Sequence, residues 1–210
     1  MNRPSVLIST VLLVCAGMAG AEEHKDDSGA AVVSPDQVVR GSLLDPRDKA
    51  NYKTVRIGNQ TWMAQNLNFE TGMSWCYEND PDNCVTYGRL YAWKSAQKAC
   101  PSGWHLPSED EWRILEISVG GAETAGMNLK SGSGWISDGC GPDDYNFTAL
   151  PTGFRLVGDK FGCMGSFAFF WTSKESGGGK AWCRYFTDKA SIGGGKDDKT
   201  NGYGIRCLKD

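Results

Sequence analysis

In residues 88–112, Tyr91, Ala92, Ala96, Ala99 and Cys100 recur at the spacing of one helix face. Pro101 and Gly103 end that helix. Ser108 and Glu111 then form an S-x-x-E capping box ahead of Trp112, Ile114 and Leu115, which opens a second helix. Upstream, Tyr52-Lys53-Thr54-Val55-Arg56-Ile57 alternates, Gly58-Asn59 turns, and residues 60–64 return, the pattern of a hairpin. Beyond Gly120 the helical period fades. Short strands are predicted at 146–150, 153–157, 168–173, 181–187 and 204–208. Gly177-Gly178-Gly179 and Gly193-Gly194-Gly195 are read as loops between the late strands. The predicted class is α+β, two helices against a small irregular antiparallel sheet with long loops on one side.

The ends differ from this pattern. Residues 1–21 carry Arg3, an apolar core over 6–14 and the small-x-small triplet Ala19-Gly20-Ala21, as a secretory signal peptide does. Leu12-Leu13-Val14-Cys15 resembles a lipobox, so lipid anchoring at Cys15 is the alternative to free secretion. Residues 22–50 hold no aromatic residue and no cysteine but many acids, and are read as a flexible tether. Residues 51–210 are then one domain, which contains all eight tryptophans. The mature chain is expected to have no transmembrane segment. A formal net charge of −3 argues against nucleic acid as a partner.

In an exported chain the cysteines are read as a disulfide framework. Cys76 and Cys84 bracket a polar loop and make a local clip. Cys100, on an inner helix face, needs a distant partner, and Cys207 sits in a comparable terminal strand. Cys140 and Cys163 lie in glycine-rich loops flanking one strand pair and are paired by preference, which leaves Cys183 a buried free thiol or an intermolecular link.

Several blocks in order carry a family resemblance: LLDPRD and YKTVRIGNQTWMAQNL within 43–67, YGRLYAWKSAQKACPSGWHLPSEDEW at 87–112, YNFTALPTGFR at 145–155, FFWTSKE at 169–175 and GYGIRCLKD at 202–210. Together they resemble the Fibrobacter succinogenes major paralogous domain, a family similar in pattern to the C-type-lectin-like fold and to formylglycine-generating-enzyme domains. The resemblance implies a disulfide-stapled, C-type-lectin-like α+β fold with neighbouring termini and a Cys100–Cys207 bridge. It implies no activity. The close cysteine pair of formylglycine-generating enzymes has no counterpart, because Cys183 and Cys207 are far apart. The E-P-N, Q-P-D and W-N-D motifs of calcium-dependent lectins are absent too.

No catalytic residue is therefore assigned. His105 is read as bonding backbone in its turn. Asp138, Asp143, Asp144 and Asn146 crowd a glycine-rich loop and are the candidate ligands of a structural calcium ion; no other cofactor is expected. Trp62, Trp93, Trp112, Trp171 and Trp182 fall in periodic elements and are read as core, whereas Trp75, Tyr77 and Trp135 lie in loops and are the candidate ligand-binding aromatics. The expected function is an exported, non-catalytic binding or adhesion module at the cell surface, in the periplasm or secreted, recognising polysaccharide or a surface protein. The alternatives are an oxidoreductase or hydrolase on the same scaffold, or a purely structural surface protein.

Overall fold

The computed structural model describes residues 31–136 and 139–210; the expected signal peptide, Cys15, the first part of the expected tether and Asp138 lie outside them. The strands are β1 (Val39–Leu44), β2 (Asn51–Ile57), β3 (Gln60–Met63), β4 (Ser74–Trp75), β5 (Leu90–Tyr91), β6 (Trp104–His105), β7 (Thr152–Leu156), β8 (Lys160–Met164), β9 (Ala168–Gly177), β10 (Lys180–Phe186), β11 (Gly193–Asp198) and β12 (Leu208–Lys209). The helices are α1 (Pro81–Tyr87), α2 (Trp93–Ala99), α3 (Glu109–Ser118) and α4 (Ala125–Leu129). One sheet runs β1-β2-β3-β12-β6 and a second β11-β10-β9-β7-β8, with β4 and β5 forming a separate pair. The class is α+β. The neighbours are antiparallel except β7 and β9, which touch in parallel through Gly153 and Ala168.

The local signals are realised as expected. The hairpin pairs Val55 with Trp62 across the Gly58-Asn59 turn. Ser108 caps α3, and its Oγ accepts the Glu111 amide while Glu111 answers to the Ser108 amide. The Cys76–Cys84 and Cys100–Cys207 bridges are both formed.

The tether reading is corrected from Val39 onward. Strand β1 pairs with β2 along its whole length, from Val39 against Arg56 to Leu44 against Asn51. Its side chains stay mostly exposed, so apolar burial does not order it. Order comes from the ladder and from Asp45, fully buried, whose carboxylate accepts the Arg47 amide and guanidinium. Further upstream, Val33 donates to Ser118 and accepts from the Tyr145 hydroxyl, both at 2.8 Å.

Three other expectations are corrected. Gly193-Gly194-Gly195 is strand, paired antiparallel with Tyr185, Arg184 and Cys183 of β10, and glycine is needed at 193 because a Cβ there would fall 2.1 Å from the Tyr185 ring. Residues 146–150 are not a strand: Asn146 and Thr148 have φ of 54° and 56°, and only Ala149 makes a bridge, to Lys130. Cys140 is a free thiol, so it makes no bridge to Cys163. Cys140 packs on the cluster around Trp112 and Trp135, whereas Cys163, on β8, packs on the cluster around Trp171 and Tyr203. Cys183 is a buried free thiol on β10, as one of the two expectations had it.

Trp112 centres the first cluster, with its ring against Trp62, Phe147, Phe170 and Phe186. Such aromatic pairs contribute roughly 0.5–1.5 kcal/mol each beyond area burial. The second cluster stacks Tyr203 on Phe169 and sets it at a tilt against Trp171. Trp182 was expected in the core but is half-buried, at the outer end of β10.

Candidate functional site

A groove of about 270 Å³ lies where the β2–β3 hairpin, helix α1 and the loop ending at Leu150 meet. Its polar lining is Asn51, Lys53, Gln65, Asn66, Asn68, Thr86 and Thr148, with Tyr52, Val85 and Leu150 among the less polar groups. Of the lining residues only Lys53 carries a charge.

Each wall is positioned by a traceable local cause. The chain leaving β3 stays beside β2 because Ala64 donates to the Lys53 carbonyl at 2.8 Å and Gln65 Oε1 accepts the Lys53 amide at 2.7 Å. Helix α1 starts on Pro81 with Asp80 as its cap and is clipped to the preceding turn by Cys84. It ends on Gly88, whose φ is 74° and whose Cβ, if present, would lie 2.7 Å from Asn66 Cβ. That close approach lets Asn66 Nδ2 donate to the Tyr87 carbonyl at 2.8 Å. Asn68 donates its amide to the Tyr52 hydroxyl, and its Oδ1 is buried with no protein partner. A buried acceptor in that state costs about 1–3 kcal/mol.

The third wall is strained. Asp143, Asn146 and Thr148 all have positive φ, and for β-branched Thr148 this is a genuine outlier. Such conformations cost on the order of 1–3 kcal/mol and persist only where the surroundings over-determine them. Here Asp143 takes the Thr148 amide on one carboxylate oxygen and the Thr148 hydroxyl on the other, both at 2.7 Å. From below, Arg206 donates through Nη2 to the Thr148 carbonyl at 2.6 Å, through Nη1 to the carbonyls of Phe147 and Met63, and through Nε to Asn66 Oδ1 at 2.5 Å. The guanidinium is fully buried and lies 4.6 Å from the Phe147 ring centroid. Burial pulls its pKa down to about 9, opposed by Asp143. Burial also raises the Asp143 carboxyl, against the pull of the Thr148 hydrogen bonds and of Arg206. The frame is thus fixed while the lining, Lys53 apart, offers uncharged donors and acceptors, the chemistry of hydrogen-bonded recognition.

The candidate residues from the sequence fall elsewhere. Trp135 is buried, with its indole donating to Ser131 Oγ and the Ala149 carbonyl at 3.1 Å, and Tyr77 is buried with its ring 5.3 Å from Phe161. Neither can present a face to a ligand. Trp75 is half-buried, with the Arg155 guanidinium 3.8 Å from its ring centroid. The calcium set does not converge: both Asp143 oxygens are taken by Thr148, Asn146 Oδ1 accepts from Arg40 at 3.0 Å, and Asp144 is exposed. Among the described residues no group of three or more His, Cys, Asp or Glu is placed to hold a metal ion.

His105 bonds side chains rather than backbone. Its Nδ1 meets Asp210 at 2.6 Å and its Nε2 meets Glu111 at 2.8 Å. Partial burial works to lower its pKa, but the two carboxylates outweigh it and the net shift is upward. Cys183 offers no ready nucleophile, because burial pushes its thiol well above the ordinary range, and Cys207 is held in its bridge.

The amide-rich run Ala64-Gln65-Asn66-Leu67-Asn68 was the available signal for the groove, masked because polar residues after a hairpin usually mean solvent. The sequence model described as the Fibrobacter succinogenes major domain matches residues 55–209. No curated protein and no solved structure matches the chain. With that match covering well over half of the chain, from within β2 to β12, the chain belongs to the Fibrobacter succinogenes major domain family.

Proposed function

We propose that this chain is an exported, non-catalytic binding module of C-type-lectin-like fold that takes a neutral, hydroxyl-rich glycan in the groove at Gln65 and Asn68. The observation that carries the reading is the pairing of an amide and hydroxyl lining with a frame locked by Arg206 and Asp143. Amides supply both donors and acceptors to sugar hydroxyls, and a rigid frame lowers the ordering cost of binding. Export is supported by two disulfides, which persist in oxidising compartments. No helix among the described residues is long and apolar enough to cross a membrane, and either free secretion or a lipid at Cys15 would deliver the domain.

The test is retention on insoluble neutral polysaccharides. Wild type and Trp75→Ala are expected to be retained alike, and Gln65→Ala with Asn51→Ala to be released. Equal retention of the groove variant, or none by wild type, refutes the reading.

A further inference from the structure

A second surface stands apart from the groove, at the outer end of β9, β10 and β11. Trp182 on β10 is half-buried there, directly opposite Lys196 on β11. The Lys196 ammonium lies 4.6 Å from the indole centroid and the Lys174 ammonium 5.2 Å from it. Both lysines are exposed. Lys180 sits two residues before Trp182 on the same strand face and is also exposed.

Three acids lie nearby and keep their charge, but each is bonded within the protein rather than to Lys174 or Lys196. Glu175 pairs with Lys199. Asp197 accepts from the Tyr203 hydroxyl and from Asn201. Asp198, across from Lys180, accepts the Thr200 amide and hydroxyl. Arg184, further along β10, is taken by Glu109 and Glu116. Among the described residues Lys174 and Lys196 make no ion pair within salt-bridge distance, so a chain with net charge −3 presents two free ammoniums on an aromatic floor.

We infer that this spot binds an acidic polysaccharide, its uronic acid carboxylates meeting the Lys174 and Lys196 ammoniums that flank Trp182. Lys174 of β9 and Lys196 of β11 flank β10 from opposite sides, and cation–π attraction holds each ammonium at the indole between them. Trp182 is therefore a positioning residue. Two lysines around one indole are too narrow a patch for nucleic acid, which needs a broad basic face. The site does not depend on the groove.

The experiment is native electrophoresis of the full chain through gels containing polygalacturonate or dextran. Wild type should be retarded by polygalacturonate and not by dextran, less so as salt is raised. Lys174→Glu with Lys196→Glu, both at exposed positions, should weaken the interaction roughly tenfold or more. Trp182→Leu should weaken it as well, and Gln65→Ala should leave it unchanged. Failure of wild type to be retarded, equal retardation of the double lysine variant, or displacement by a DNA duplex at equal charge concentration would overturn the inference.

Discussion

Arg206 and Thr148 meet in a hydrogen bond of 2.6 Å that ties the last long segment of the chain to the most strained residue of the groove. Among the described residues no carboxylate bonds the guanidinium; it is satisfied by three backbone carbonyls and one side-chain amide oxygen, from Met63, Phe147, Thr148 and Asn66. Arg206→Met removes the donors and leaves those acceptors buried. We expect a loss of about 3 kcal/mol or more, read in urea melts, since each orphaned acceptor costs about 1–3 kcal/mol. A loss within about 0.5 kcal/mol would mean the loop holds itself.

His105 predicts a pH dependence. Its folded-state pKa is raised above the ordinary value by Asp210 and Glu111, against desolvation. Its contribution is therefore complete below the unfolded-state pKa and is lost as pH rises through the folded-state pKa. Thermal midpoints of wild type relative to His105→Gln should fall from mildly acidic to alkaline pH, and Asp210→Asn should reduce that fall. Parallel profiles for wild type and His105→Gln would contradict the clasp. Glu111 shifts the other way: the Ser108 hydrogen bonds and His105 overcome desolvation and hold it low, so its contribution is lost as pH falls through that lowered pKa.

The two described free thiols should react differently. Cys140 is half-buried, whereas Cys183 is buried with its thiol pushed well up. Reactivity follows the thiolate and its exposure. Iodoacetamide labelling of the native protein, read by peptide mass spectrometry, should modify Cys140 and spare Cys183 until denaturant is added. Native labelling of Cys183 at the rate of Cys140 would contradict the burial.

The legible parts of this fold are those whose cause is local. Gly58-Asn59 sets a hairpin, Ser108 with Glu111 starts α3, and the closely spaced Cys76 and Cys84 clip a short loop. The illegible parts depend on a partner remote in sequence. Strand β1 is polar and orders only because β2 offers an edge. Gly193 reads as a loop until Tyr185 is seen lying across it. Trp135 reads as a loop aromatic until Ser131 and Ala149 take its indole nitrogen. Asp143 looks like a cation ligand and is a lock on Thr148. The groove was hidden for the same reason: its walls come from three separate segments that Arg206 and the cystine clip bring together.

The proposal for the groove is most directly tested by amide chemical-shift mapping of the isotopically labelled chain during titration with hexaoses of cellulose, xylan and mannan. One of these neutral oligosaccharides should move the side-chain amide signals of Asn51, Gln65 and Asn68 together with the backbone of Thr86 and Thr148. Shifts centred on Trp75 or Trp182 with those amides still, or no shift with any of the three sugars, would contradict it.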